Sequence, residues 1–192
     1  MRFSLFSLVL STAVFLVTAL TAYPEQDTLV EELKAGGRVL MIRHAYAPGT
    51  GDPPNFRIGD CSTQRNLNEE GRAQARAIGE WLRDRGIVRA RVFSSQWCRC
   101  METAELMNLG PVTELPPLNS FFSRPQDREQ NLNALESFFS DQPTDGELIV
   151  LVTHFVTISA VTGEGVSSGE GVLLRLGENA SHEAIGRLDF GL

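Results

Sequence analysis

The chain is almost without lysine: Lys34 is the only one among its 17 basic residues. Its cations are therefore guanidiniums, planar forks that stay charged and can grip two oxygens of a carboxylate or phosphate, although a GC-rich genome would give the same bias with no function attached. Basic groups are also in the minority, 17 against 24 acidic, for a formal net charge of −7. That balance excludes a general surface built to attract nucleic acid or anionic lipid. Histidine and cysteine are scarce, three of each. No Cys-x-x-Cys pair occurs, so the usual ligand spacing of a structural zinc site is missing. The last shortage is local, since no charged residue lies between Phe3 and Ala22. With Arg2 before it and the small-residue steps Val17-Thr-Ala19 or Leu20-Thr-Ala22 at its end, residues 1–22 read as a secretory signal peptide, with an uncleaved anchor as the rival reading. No cysteine closes the segment, which excludes a lipoprotein attachment site. A periplasmic or secreted protein without stable membrane insertion after cleavage is expected.

Residues 23–192 then form one domain, and 42% hydrophobic against 21% charged residues suits a single globular core. In an oxidising compartment Cys61, Cys98 and Cys100 are disulfide candidates. A Cys98–Cys100 ring is too tight, so the expected bridge runs from Cys61 to either Cys98 or Cys100 and leaves one thiol. Either bridge pins the loop after Arg43-His44 against the helix that carries Arg99.

Three apolar runs carry the chemistry. Val39 to Ile42, bounded by Gly36-Gly37 and by a Pro48-Gly49 loop, reads as a strand buried on both faces, and it ends on Arg43-His44. Arg91-Val-Phe-Ser94 is a second strand, followed by Ser95-Gln-Trp-Cys-Arg99 at a helix start; Leu148 to Thr153 is a third, ending on His154. Open α/β sheets bind ligands at the carboxyl ends of their strands, so two cations and two imidazoles are expected on one rim. Between the runs, helices are expected over Glu25–Ala35, from Asn68 to the Arg85-Gly86 cap with a stripe of Ala73, Ala77, Ile78, Trp81 and Leu82, after Arg99, over Asp127–Asp141, and over Val156–Val161. Gly171–Leu176 and Ala184–Phe190 read as a closing hairpin. The long Pro- and Gly-rich loop down to Asn66 is a natural pocket wall, with Arg57, Asp60 and Gln64 as its polar candidates.

The ordered set Arg43-His44, Asn66-Leu-Asn-Glu-Glu-Gly-Arg72, Arg99 with Glu102-Thr-Ala104, and Thr153-His154 resembles the histidine phosphatase (phosphoglycerate mutase-like) superfamily from about Arg38 to Thr162. The resemblance implies a three-layer α/β fold, a mostly parallel central sheet with helices on both faces. It also implies a phosphomonoester hydrolase in which Arg43, Arg99, His44 and His154 bind the phosphoryl group of a small-molecule or sugar phosphate. His44 would attack as a neutral imidazole, its other nitrogen donating to a backbone carbonyl, to give a phosphohistidine; no metal or organic cofactor is implied. Two departures stand out. Ala45 replaces the family's usual Gly, and Leu118-Asn119-Ser120 has no carboxylate where relatives often place the general acid, leaving Glu114, Asp127, Glu129 or Asp52 as substitutes. The missing acid favours a good leaving group, counts against a mutase, and keeps open a non-catalytic protein that binds phosphorylated glycans or lipid head groups. Gly165-Val-Ser167-Ser-Gly169 fits a nucleophile-elbow pattern in an unsuitable context, His182 reads as solvated, and Asn179-Ala-Ser181 fits a glycosylation pattern.

Overall fold

Val39 to Ile42 is fully buried because both of its faces are covered. The structure, a computed structural model, describes residues 26–178 and 181–191. The expected signal peptide and most of the Asn179-Ala-Ser181 pattern lie outside the described residues. In chain order the elements are α1 (Gln26–Lys34), β1 (Arg38–Arg43), a 3-10 turn (Cys61–Thr63), α2 (Glu69–Asp84), β2 (Arg91–Ser94), α3 (Cys98–Met107), β3 (Val112–Glu114), α4 (Arg128–Ser140), β4 (Ile149–Thr153), α5 (Phe155–Thr162), β5 (Gly171–Leu176) and β6 (His182–Leu188). Among these, no helix is long and apolar enough to cross a membrane.

The sheet runs in the order β3-β2-β4-β1-β5-β6. It is parallel from β3 to β1, and β5 and β6 are added antiparallel. Alternate side chains of β1 divide the core, as the period-2 geometry of a strand requires. Leu40 and Ile42 pack with Leu29, Leu33, Ile78, Leu82, Ala104 and Met107 from α1, α2 and α3. Val39 and Met41 pack on the other face with Leu135, Phe139 and Ile158 from α4 and α5. The result is the three-layer α/β arrangement, with helices on both faces of a mostly parallel sheet.

Helix α2 starts where expected, with the Asn68 side chain accepting from the Gly71 backbone N–H, and Ile78 and Leu82 of the expected stripe are buried and Trp81 packs on the core, but the buried face extends over other residues. The residues facing inward are Gly71, Ala75, Ile78, Gly79 and Leu82, while Ala73 is exposed and Trp81 is half-buried. The reason is close backbone approach: a Cβ on Gly71 would lie 1.9 Å from the Tyr46 carbonyl oxygen, and one on Gly79 would lie 2.0 Å from that of Met107. Two further readings are corrected. The half-buried His182 opens β6, its ring 5.2 Å from that of Phe139, so it is not a solvated turn residue. Gly165–Gly169 follows helix α5 and precedes strand β5, the reverse of a nucleophile elbow. It serves as a clasp instead: Gly169 N–H donates to the Arg43 carbonyl, and Arg43 N–H donates to that of Glu170.

Candidate active site

Parallel register sets the site. Arg43 lies opposite Thr153, and Ser94 opposite Val152, so the chains of β1, β2 and β4 leave the sheet at one level. His44 N–H donates to the Thr153 carbonyl and Ser95 N–H to that of Val152, carrying the alignment one residue past the strands. The imidazoles of His44 and His154 face each other edge-on with centroids 5.5 Å apart, and Arg99, the second residue of α3, brings Nη2 to 3.5 Å from His154 Nδ1. Arg43, His44, Arg99 and His154 all line one cavity of about 560 Å³. All four expected site residues therefore converge.

Each is held by bonds that leave part of it available. Arg43 Nη1 donates to the Val166 carbonyl at 3.0 Å, and the guanidinium lies 5.7 Å from the Phe155 ring centroid. Arg99 Nη1 and Nη2 grip the two oxygens of Asp52 at 2.7 and 3.2 Å. In both arginines Nε is buried without a hydrogen-bond partner. Two permanent cations line one cavity, close enough that the charge of Arg99 acts on Arg43, and this favours an anion there. His44 Nδ1 lies 2.8 Å from the Ala45 carbonyl. A carbonyl can only accept, so Nδ1 carries the proton and Nε2 keeps the lone pair. The orientation expected for a nucleophile is therefore present.

The tautomer of His154 follows from its neighbours. The Asn119 amide is oriented by Gln96, whose N–H donates to Oδ1 and whose side-chain oxygen accepts from Nδ2. Ser95 Oγ donates its one proton to Asn119 Oδ1 at 3.1 Å and so accepts from His154 Nε2 at 2.9 Å. His154 Nδ1 is then the unprotonated nitrogen and faces Arg99. Burial, followed by the charge on Arg99, pushes His44 down to about 3. Burial, His44 and Arg99 hold His154 well below its ordinary value. Burial and the Arg99 charge also lower Arg43. The site is thus an electropositive pocket with two neutral imidazoles.

The loop after β1 does form a wall, but Arg57, Asp60 and Gln64 do not line the cavity. Arg57 and Asp60 pair with each other, and Gln64 is buried beneath the wall, accepting from Cys98 N–H. Asp52 and Arg65 are the charged residues the loop contributes instead. Arg65 donates to the Gly51 and Ala47 carbonyls and shapes the wall. No local pattern marks it, and Ser95 and Asn119 carry no signal beyond their places in the chain. The bridge is Cys61–Cys98, with Cα atoms 5.7 Å apart. It ties the wall to the first turn of α3, next to Arg99. Cys100 remains free and buried, its thiol pushed up to about 12 chiefly by burial.

Of the four substitute acids, Glu114 bonds to Gln96 and Glu129 is exposed outside the cavity, while Asp127 lines a neighbouring recess. Only Asp52 lines the cavity. Burial alone would raise its carboxyl, but the Arg99 fork and the Trp97 indole outweigh that and hold it below the usual carboxylate value. It is therefore an orienting anion for Arg99 and not a proton donor. Replacing Asp52 with Ala should cost about 3 kcal/mol, because Arg99, only 4% exposed, would be left charged and unpaired. The urea unfolding midpoint measures this, and an unchanged midpoint would contradict the assignment.

Residues 39–121 match the sequence model of the histidine phosphatase superfamily (branch 1). No curated protein matches the chain. Among solved structures, SixA from Agrobacterium tumefaciens is 23% identical over 80% of this chain and 98% of its own, with TM-score 0.54. The phosphoglycerate mutase of Thermus thermophilus is 20% identical over 79% and 98%, TM-score 0.52. A mycobacterial glucosyl-3-phosphoglycerate phosphatase in complex with VO3 is 17% identical over 71% and 92%, TM-score 0.50. The fold is phosphoglycerate mutase-like.

Proposed function

We propose that this chain is a member of the histidine phosphatase superfamily that hydrolyses small phosphomonoesters, sugar phosphates among them, outside the cytoplasm through a phosphohistidine on His44. One observation carries the reading: the guanidiniums of half-buried Arg43 and buried Arg99 line the same cavity as His44, whose Nε2 keeps its lone pair for attack. A phosphate dianion bound there would offset the crowding of like charge between Arg43 and Arg99. Its three peripheral oxygens carry the charge of the loose transition state, where the fixed forks of Arg43 and Arg99 act most strongly. His44 Nε2 attacks phosphorus as the ester P–O bond breaks. The leaving oxygen takes its proton from water, since Asp52 is held ionised. Water then attacks the P–N bond, releasing inorganic phosphate and restoring His44. With the dianion beside it, His154 gains affinity for a proton at Nδ1 and would donate it to a phosphoryl oxygen, while Ser95 holds the opposite nitrogen.

The family match and the VO3-bound mycobacterial relative support the phosphatase reading. The sequence of residues 1–22 and the Cys61–Cys98 bridge support export. A second reading, a binder of phosphorylated glycans or lipid head groups without turnover, is favoured by the absence of a protonated carboxyl among the cavity's lining residues. Incubating the protein with a labelled aryl phosphate and quenching in alkali should trap phosphate on His44 as an acid-labile adduct. Phosphate release with no such adduct would rule out the covalent route, and neither release nor adduct would leave the binder.

A further inference from the structure

The cavity floor is charged, whereas its mouth is mostly apolar, the charged residue there being the exposed Arg124, which is paired with Asp127. His44, Arg99 and His154 are almost fully buried at the base, whereas Pro53, Pro54, Phe122 and Phe155 stand exposed around the opening. Phe122 is 62% exposed, and Phe155 is 43% exposed even with Arg43 against its ring. Phe56, stacked on Trp97 at 4.8 Å, continues the apolar surface into the cavity. Two large apolar side chains left in water at the mouth of one cavity mark a surface that a ligand covers. The polar complement is thin. Among the described residues no Asn, Gln, Glu or Lys lines this cavity, its side-chain hydroxyls are those of Thr50, Ser120 and Ser123, Arg124 is paired with Asp127, and Asp52 is committed to Arg99. Recognition of a ring bearing several hydroxyls needs directed donors and acceptors, each costly if buried unpaired. In the adjoining recess Asn119 is bonded to Gln96 and Ser95 and Asn131 donates to the Asn119 carbonyl, so of its amides only the exposed Gln130 stands outside these contacts.

We infer that the group esterified to phosphate is an apolar ring, so that among phosphomonoesters the site selects aryl and arylalkyl phosphates over sugar phosphates. The inference rests on the phosphatase reading and narrows its substrate class. It agrees with the chemistry of the floor: with Asp52 ionised, a phenolate can leave with less help from a proton than a sugar alkoxide. Recognition comes from Phe122 and the proline wall, and the phosphoryl group is held separately by the two arginines.

Non-hydrolysable phosphonates test recognition apart from turnover. Calorimetry on the purified protein should show benzylphosphonate binding about 30-fold more tightly than methylphosphonate, the gain expected for burying one phenyl ring. Phe122→Ser, a change at an exposed position, should cut that ratio at least about five-fold, and glucose 6-phosphate should compete poorly with benzylphosphonate. A ratio near one, a ratio unchanged in the Phe122 variant, or equal competition by the sugar phosphate would overturn the inference. The expected ratio in a protein that hydrolyses no phosphomonoester would instead sink the hydrolase reading and leave the ring-binding surface standing.

Discussion

Replacing His44 with Ala should lower kcat/KM for an aryl phosphate by about 10⁴-fold or more, because it removes the group to which phosphorus becomes bonded. The loss should fall on kcat. Both guanidiniums stay in place, with Arg99 still aligned by Asp52 and Arg43 by Val166, so affinity for inorganic phosphate should change by less than about ten-fold. Vanadate or phosphate binding alongside steady-state turnover separates the two effects. Equal, background-level turnover in wild type and variant, with intact phosphate binding, would replace the enzyme by a binding protein. Turnover by the variant within about ten-fold of wild type would move the nucleophile elsewhere.

Acid should destabilise the protein steeply, and the two site histidines should account for much of the slope. His44 is held neutral down to about 3 in the folded chain, against an ordinary value near 6.5 in the unfolded one. The stability tied to its neutral form is therefore complete above pH 6.5 and is lost as pH falls towards about 3. Over that window the unfolded state binds a proton that the native state does not. The slope is about 1.4 kcal/mol per pH unit, and the full loss is on the order of 5 kcal/mol. His154, lowered in the same direction by burial and by its neighbours, adds a second contribution of like sign. Urea titrations between pH 6.5 and 5, where most carboxylates are still ionised, should show stability falling steadily with pH, and the fall should be clearly shallower in a His44→Asn variant. A flat profile, or one that the variant does not change, would mean that these imidazoles are not buried neutral. Activity carries a related signature, since neutral His44 should keep the acid limb of the rate profile far below pH 6.5.

The local pattern of this chain was enough to determine its layers, its rim and its two imidazoles. A strand buried on both faces must be a continuous apolar run, as Val39–Ile42 and Ile149–Val152 are, and the polar residues that follow must emerge at the carboxyl edge of the sheet. Arg43, His44 and His154 are therefore legible one residue at a time. The apolar stripe finds Ile78 and Leu82 but misses part of the buried face of α2 for a physical reason: a stripe weighs side chains, whereas Gly71 and Gly79 are buried because they have none and allow backbones to meet. Only the tertiary structure decided that Cys61 pairs with Cys98, that Asp52 orients Arg99, that Arg65 braces the wall, and that Ser95 and Asn119 set the tautomer of His154. Those contacts join residues far apart in the chain, Asp52 and Arg99 being 47 positions apart, and depend on angles and donor counts at their meeting point. Nothing in the neighbourhood of either residue encodes its partner, so that part of the site exists only once the chain has closed on itself.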